Sequence, residues 1–434
     1  MRQKWLKFIM FAAALCVVIW FAGCSGGGSS NSHPSTPTDP STPTDPSGDY
    51  GTVDGTSATP SADLTAIAER VSAILALGYN TTTPDMVMKQ LSGLDSEKKA
   101  SDLVIIDTRE QADFAKGHIP GAINIPLQTL PQALLDQDPR IPMDKEIVVA
   151  SYWGNDGNMA SLLVNLYRIA DPANAGNYPK STGLFQGMTS WNFERELVPA
   201  GTRFDDALAA NVRVEKATEA GAVSPQPQQS YPDFASFNVD PVVERILIRA
   251  RDYLNSVPSQ FDLEVYPKTL ADNLDDGDAA NDPQIISVRA GDVYAGGHIP
   301  GAINIPYKNV ADLTNAADLD PTKDVLVYCY TGHTGALSTL ALGILGYKAK
   351  NLLYGMNGWS TTAPGSGQLA NFDLNRSWDF PLNTDLPDGV DSLAAYIPPS
   401  TGCQSCHTSL TAIFEDSIKT PLAAEVAPPS EGEG

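Results

Sequence analysis

The decapeptide GHIPGAINIP occurs twice without a single difference, at 117–126 and at 297–306. Around each copy the same elements recur in the same order. The first copy is preceded by Leu103-Val-Ile-Ile-Asp107-Thr108-Arg109 and followed by Glu146-Ile-Val-Val-Ala150-Ser151 and Gly187-Met-Thr-Ser-Trp191. The second is preceded by Ile285-Ile286-Ser287-Val288-Arg289 and followed by Val325-Leu-Val-Tyr328-Cys329 and Gly355-Met-Asn-Gly-Trp359. A period this long is no solenoid repeat and points to a duplicated domain. A stretch of helical periodicity stands ahead of each copy, near Asp63–Leu77 and near Pro241–Leu254. Short apolar runs alternating with helical stretches predict an α/β fold, each half a parallel sheet with helices on both faces.

Within the second half, Asp324–Lys348 (DVLVYCYTGHTGALSTLALGILGYK) carries the clearest chemistry. Val325 to Tyr328 reads as a buried parallel strand. Cys329 ends it, and Tyr330, Thr331, Gly332, His333, Thr334 and Gly335 form a small-residue loop. A helix is predicted from Ala336, because Leu337, Leu340, Ala341, Ile344 and Leu345 recur at three- and four-residue spacing. A cysteine between a strand end and a helix N-terminus meets unpaired backbone N–H groups and the positive end of a helix dipole. That setting suits a thiolate nucleophile. A buried structural cysteine is the simpler alternative.

The chain opens with Arg2, Lys4 and Lys7, then an apolar run from Phe8 to Phe21 with no acidic residue. The run is short and small residues follow it, so residues 1–23 read as a secretory signal peptide rather than a membrane span. Phe21-Ala22-Gly23-Cys24 resembles a bacterial lipobox. The resemblance implies diacylglycerol on Cys24, with Ser25 favouring the outer membrane over inner-membrane retention; two or more acyl chains give stable anchoring. Residues 24–57, with GGGSS and STPTDP twice in succession, cannot bury enough surface to offset chain entropy and read as an extended tether. The charge is strongly acidic, 28 Lys and Arg against 51 Asp and Glu for a net −23. Loss of the leader removes three more basic residues. Such a balance argues against nucleic-acid partners.

The order I-D-x-R, G-H-I-P-G-A-x-N-I-P, strand–Cys–loop–helix and G-x-x-x-W resembles the rhodanese (sulfurtransferase) domain, here in tandem over roughly residues 85–200 and 240–380. The expected organisation is a first rhodanese-like domain over 58–200, a linker over 201–237, a second domain over 238–380 and a C-terminal segment over 381–434. The resemblance implies that Cys329 attacks a sulfane sulfur and carries it as a persulfide to a small-molecule or protein acceptor, cradled by the loop from Tyr330 to Gly335 with Arg289 nearby. His333 reads equally well as a proton donor in this loop or as a solvated residue. In the first domain Ser151 holds the cysteine position and cannot form a persulfide, so this copy is expected to be silent, with Asp107 and Arg109 a structural ion pair. The second copy departs from the family at Ser287, usually acidic, and at Val293, where tandem thiosulfate enzymes carry a second arginine. Their basic loop residues are also missing, which weakens thiosulfate as donor.

Near the C-terminus, Cys403-Gln-Ser-Cys406-His407 resembles a c-type haem attachment site, with His407 as iron ligand. A dithiol, a disulfide or half a metal site remain as alternatives for the CxxC. Three functions follow from these features. One is sulfur transfer through Cys329. Another is a haem-bearing accessory of an outer-membrane electron-transfer complex with a multihaem cytochrome. The third is a carrier of persulfide, selenium or tellurium without turnover.

Overall fold

The structure is a computed structural model that describes residues 55–192, 230–233 and 242–360. Cys24, Cys403, Cys406 and His407, with the leader and most of the tether, lie outside these residues. Among the described residues no helix is long and apolar enough to cross a membrane.

Each repeat builds a five-stranded, all-parallel sheet. In the first, β1 (Thr81–Thr82), β2 (Leu103–Asp107), β3 (Ile123–Asn124), β4 (Glu146–Ala150) and β5 (Ser181–Leu184) lie in the order β1-β5-β4-β2-β3. In the second, β6 (Glu264–Val265), β7 (Gln284–Ser287), β8 (Ile303–Asn304), β9 (Asp324–Tyr328) and β10 (Lys348–Leu352) repeat that order as β6-β10-β9-β7-β8. The central strands β4 and β9 are continuous apolar runs because both their faces are covered by helices.

Four helices position the repeats. Helix α1 (Ala62–Ala76) starts at Ser61, whose hydroxyl accepts from the Leu64 N–H, and buries Leu64, Ile67, Ala68, Val71, Ile74 and Leu75 along one stripe. Helix α2 (Asn155–Arg168) follows the Ser151 loop, α3 (Val242–Leu254) leads the second repeat, and α4 (His333–Ile344) follows the Cys329 loop. The helix expected from Ala336 thus starts three residues earlier, at His333. Gly332, at φ +94°, makes the left-handed turn that lets His333, Thr334 and Gly335 join the first turn.

Buried side chains of both repeats merge into one apolar cluster that runs from Leu64 and Val71 through Leu163 to Leu254, Leu340 and Ile344. Smaller clusters cover the other face of each sheet, one around Phe114, Ile119 and Trp191, the other around Ile285, Ile299 and Trp359. Polar bonds reinforce the seam. Arg245 pairs with Asp63 at 2.6 Å, and the Gln128 amide donates to the carbonyls of Leu254 and Val257 at 2.9 and 3.0 Å.

The repeated decapeptide is a clip rather than a site. His118 stacks on Phe114 and His298 on Tyr294, at 3.6 and 4.0 Å between ring centres. Ile119 and Ile299 are fully buried. The Asn124 amide donates to the carbonyls of Asp107 and Arg109, and Asn304 does the same to Ser287 and Arg289. Each decapeptide therefore holds the end of the preceding strand together with the arginine that follows it.

Candidate active site

Cys329 sits where β9 gives way to the loop before α4, and it is 2 % exposed. The Gly332 N–H donates to its Sγ at 3.1 Å, closing the loop over the sulfur. Behind the loop, the Met356 N–H donates to the Cys329 carbonyl at 2.8 Å and the Asn357 N–H to the Tyr330 carbonyl at 3.0 Å. Gly355, at φ +52°, brings this second turn so close that a Cβ there would lie 2.6 Å from the Cys329 carbonyl oxygen. The loop is consequently fixed from two sides, with the Gly332 N–H held on the sulfur.

Of the loop residues, Tyr330 and Thr334 are partly exposed, whereas Thr331, Gly332, His333 and Gly335 are buried. Burial raises the Tyr330 phenol, while a backbone bond from Ala290 and the nearby Arg289 charge work the other way. Arg289 lies behind the loop at 1 % exposure. Its guanidinium donates to the Gly297 carbonyl at 2.7 Å and the Ser287 hydroxyl at 3.2 Å, and sits 5.2 Å from the Tyr328 ring centre. Arg289 thus holds the decapeptide clip to the end of β7, and its cation faces Tyr328 and Tyr330.

His333 takes neither of the places that the sequence offered it. It is buried and turned toward the first repeat. Its Nδ1 is 2.8 Å from the Tyr79 hydroxyl, its Nε2 is 3.2 Å from the Gln186 amide, and the Phe185 ring meets it edge-on. Burial pushes its pKa down to about 4, against a backbone hydrogen bond to Trp153 that raises it. The imidazole is therefore neutral at pH 7.

The first repeat copies this architecture around a hydroxyl. The Gly154 N–H donates to Ser151 Oγ at 3.0 Å, Gly154 has φ +93°, and the Met188 N–H donates to the Ser151 carbonyl at 2.8 Å. The nucleophile differs, and so does the loop residue two positions on. Where the second loop has Thr331, the first has Trp153, buried with Tyr152, Phe261, Leu353 and Tyr354. Asp107 and Arg109 form a fully buried ion pair at 2.7 Å, and Arg109 also donates to the Gly117 carbonyl. This is the structural pairing that the sequence suggests for a silent copy.

Between the two loops lies a polar cluster that sequence reasoning missed. The Asn351 amide donates to both oxygens of Glu264, at 3.1 and 2.9 Å, with Asn155 and Asp156 close by. Burial raises the Glu264 carboxyl well above its ordinary range, and the Asp156 charge adds to this. Burial alone lifts Asp156 to about 7. Both oxygens of Asp156 lack a hydrogen-bond partner in the structure. Glu264 and Asp156 stand at unremarkable positions in their repeats, and no local pattern marks them. Among the described residues no group of three or more His, Cys, Asp or Glu is arranged to hold a metal ion.

Residues 90–193 and 266–362 each match the Rhodanese-like domain family. A thiosulfate sulfurtransferase, GlpE, of Pseudomonas fluorescens (strain SBW25) is 34% identical over 84 residues, which cover 18% of this chain and 72% of the relative. Its counterpart in Pseudomonas entomophila (strain L48) is 35% identical over 92 residues, 20% of this chain and 79% of the relative. A solved thiosulfate sulfurtransferase from Pseudomonas aeruginosa aligns at 14% identity with a TM-score of 0.24, over 67% of this chain and 46% of that one.

Proposed function

Because the chain belongs to the rhodanese family, we propose that it is a sulfurtransferase whose second domain moves sulfane sulfur through a persulfide on Cys329. The observation that carries this reading is the Gly332 N–H on Cys329 Sγ at 3.1 Å, at a strand–loop–helix junction whose twin holds only Ser151.

In the first step the Cys329 thiolate attacks the outer sulfur of a donor. The Sγ–S bond forms, and the bond between that sulfur and the rest of the donor breaks. The leaving group departs with the electron pair, as a thiolate from a persulfide donor or as sulfite from thiosulfate. In the second step an acceptor nucleophile attacks the outer sulfur of the persulfide, and the Cys329 thiolate leaves. The sulfane sulfur changes hands with no net oxidation of the protein. The Gly332 N–H on Sγ stabilises the charge of the Cys329 thiolate that attacks in the first step and leaves in the second.

The loop from Tyr330 to Gly335 has no Lys or Arg to offer a dianionic donor fixed charge, and burial keeps His333 neutral. A monoanionic persulfide suits this pocket better than thiosulfate. Mature protein is incubated with thiosulfate, mercaptopyruvate or a small-molecule persulfide, and its intact mass is measured. A gain of one sulfur, lost in Cys329→Ser and fastest from the persulfide, is the expected result. No sulfur gain from any donor would overturn the assignment and leave the carrier reading for selenium or tellurium.

A second reading rests on the C-terminal motif. Cys403, Cys406 and His407 would hold a covalent haem that supplies one-electron chemistry to an outer-membrane partner such as a multihaem cytochrome, with Cys24 anchoring the chain in the membrane by its lipid. Protein made alongside haem-attachment machinery is expected to show a Soret band that Cys403→Ala with Cys406→Ala removes. A spectrum without that band discards the haem reading and leaves the sulfur chemistry untouched.

A further inference from the structure

The first domain lacks a nucleophile, yet it reaches into the loop of the second. His333, the first residue of α4, enters a socket made by Tyr79, Gly154, Phe185 and Gln186, all from the first domain. The Tyr79 hydroxyl lies 2.8 Å from its Nδ1, across 254 positions of sequence. The fit at Gly154 is close enough that any side chain there would collide, since a Cβ would stand 2.9 Å from His333 Nε2. From the same side, Asn155 borders Gly332, where a Cβ would stand 2.9 Å from Asn155 Oδ1. Gly332 carries the N–H that donates to the sulfur, and His333 is the residue next to it. The first domain therefore touches the backbone that forms the anion cradle.

Tyr79 remains a hydrogen-bond donor at any ordinary pH. Burial raises its phenol well above the usual range, and a charge on Cys329 raises it further, so the hydroxyl stands within electrostatic reach of the sulfur. A neutral imidazole accepts at one nitrogen only. With Tyr79 donating to Nδ1, the proton of His333 resides on Nε2, and the Gln186 amide, whose nitrogen is placed 3.2 Å from Nε2, must then turn its oxygen to the ring to accept that proton.

We propose that Tyr79 is a positioning residue for the Cys329 site: the hydroxyl-to-imidazole bond, from a domain that performs no chemistry, seats His333 and so sets the Gly332 N–H on the sulfur. This rests on the sulfur-transfer reading, but its geometric part does not. The duplicated domain is then part of the active site and not a spare copy. The turns at Gly332 and Gly355 hold the loop within the second domain, Tyr79 holds it from the first, and a misplacement of about 1 Å is enough to cost rates of this kind.

The full chain is compared as wild type, Tyr79→Phe and Tyr307→Phe. The last removes the hydroxyl that accepts from the Tyr79 backbone N–H at 3.2 Å and serves as a control for ordinary hydrogen-bond loss at the seam. Three readouts are taken: the side-chain nitrogen NMR signals of His333, assigned with His333→Gln; the rate at which iodoacetamide alkylates Cys329; and sulfur loading from the persulfide donor. Wild type is expected to show one neutral tautomer, with the proton on Nε2. Tyr79→Phe should lose that single tautomer while keeping its fold. Its alkylation and loading rates should each fall about tenfold, with the donor concentration for half-maximal rate little changed. Tyr307→Phe should match wild type in all three. A His333 signal unchanged in Tyr79→Phe, a proton found on Nδ1 in wild type, or rates equal to wild type would each overturn the proposal. If wild type never gains sulfur, the function assignment fails, and the NMR and alkylation readouts still decide the role of Tyr79.

Discussion

A hydroxyl and a thiol occupy equivalent cradles in this molecule, 3.0 and 3.1 Å from the amides of Gly154 and Gly332. The cradle is therefore not what separates the two domains. What differs is the two residues that follow: Tyr152 and Trp153 are buried to 0 and 2 % exposure, whereas Tyr330 is partly open and Thr331 is small. In a Cys329→Ser background, Ser151→Cys is expected to load sulfur at least about tenfold more slowly than native Cys329, because the buried Tyr152 and Trp153 beside it leave a donor less access than the partly open Tyr330 does. Adding Trp153→Thr should recover part of that rate. Equal loading in the single exchange would show that the missing sulfur atom alone silences the first domain. Cys329 was legible in the sequence because strand, cysteine, loop and helix are contiguous. The indole of Trp153 against Phe261 and the phenol of Tyr79 against His333 were not. Each is a contact between residues far apart in the chain, and neither Phe261 nor Tyr79 belongs to a motif or a periodic stripe.

At the scale of elements, the two short helices Gly187–Trp191 and Gly355–Trp359 act as stops behind the loops. Gly355→Ala would add a methyl in a left-handed conformation, 2.6 Å from the Cys329 carbonyl. It is expected to cost about 2–3 kcal/mol, read as a lower denaturant midpoint, with sulfur loading reduced because the loop must shift. Gly291→Ala is the comparison. A Cβ at that helical position would meet only an ordinary contact, the Asn304 amide oxygen at 3.4 Å. It should be neutral or stabilising by up to about 1 kcal/mol. Equal losses at both positions would remove the stop from the explanation. These elements could be read from the sequence where apolar spacing was regular, as in α1 and α3. The start of α4 could not, because Gly332 adopts a positive φ that only the surrounding structure determines. The decapeptide was the strongest signal in the sequence, and its role is mechanical: it fastens each strand end and arginine without lining the sulfur site.

For the whole molecule, the seam between the domains contains titratable groups whose pH dependences oppose each other. His333 is held neutral, its pKa moved from about 6.5 to about 4. Its contribution to stability is present above pH 6.5 and is lost as the pH falls toward 4. Asp156 is raised from 3.8 to about 7, so the folded state favours its protonated form. Its contribution is greatest below pH 4 and is lost as the pH rises through 7. Glu264, raised well above its ordinary range, acts in the same direction as Asp156. Each pH unit between the two states of a carboxyl corresponds to about 1.4 kcal/mol, which sets an upper bound of about 4 kcal/mol for Asp156. Asp156→Asn keeps the shape and removes the charge. It also relieves Glu264, whose carboxyl the Asp156 charge disfavours. Its melting temperature should match wild type at pH 4 and exceed it by several degrees at pH 7.5, where His333 is neutral in both folded and unfolded chains and drops out of the comparison. A difference that stays constant between pH 4 and 7.5 would show that the Asp156 carboxyl is not held protonated in the seam. The carboxyls and the imidazole border the same loop through Asn155, Gly332 and Tyr79, so a seam loosened at high pH should also loosen the Cys329 cradle. Sulfur loading by wild type is then expected to fall above pH 8 while that of Asp156→Asn holds, an outcome that thiolate formation alone would reverse.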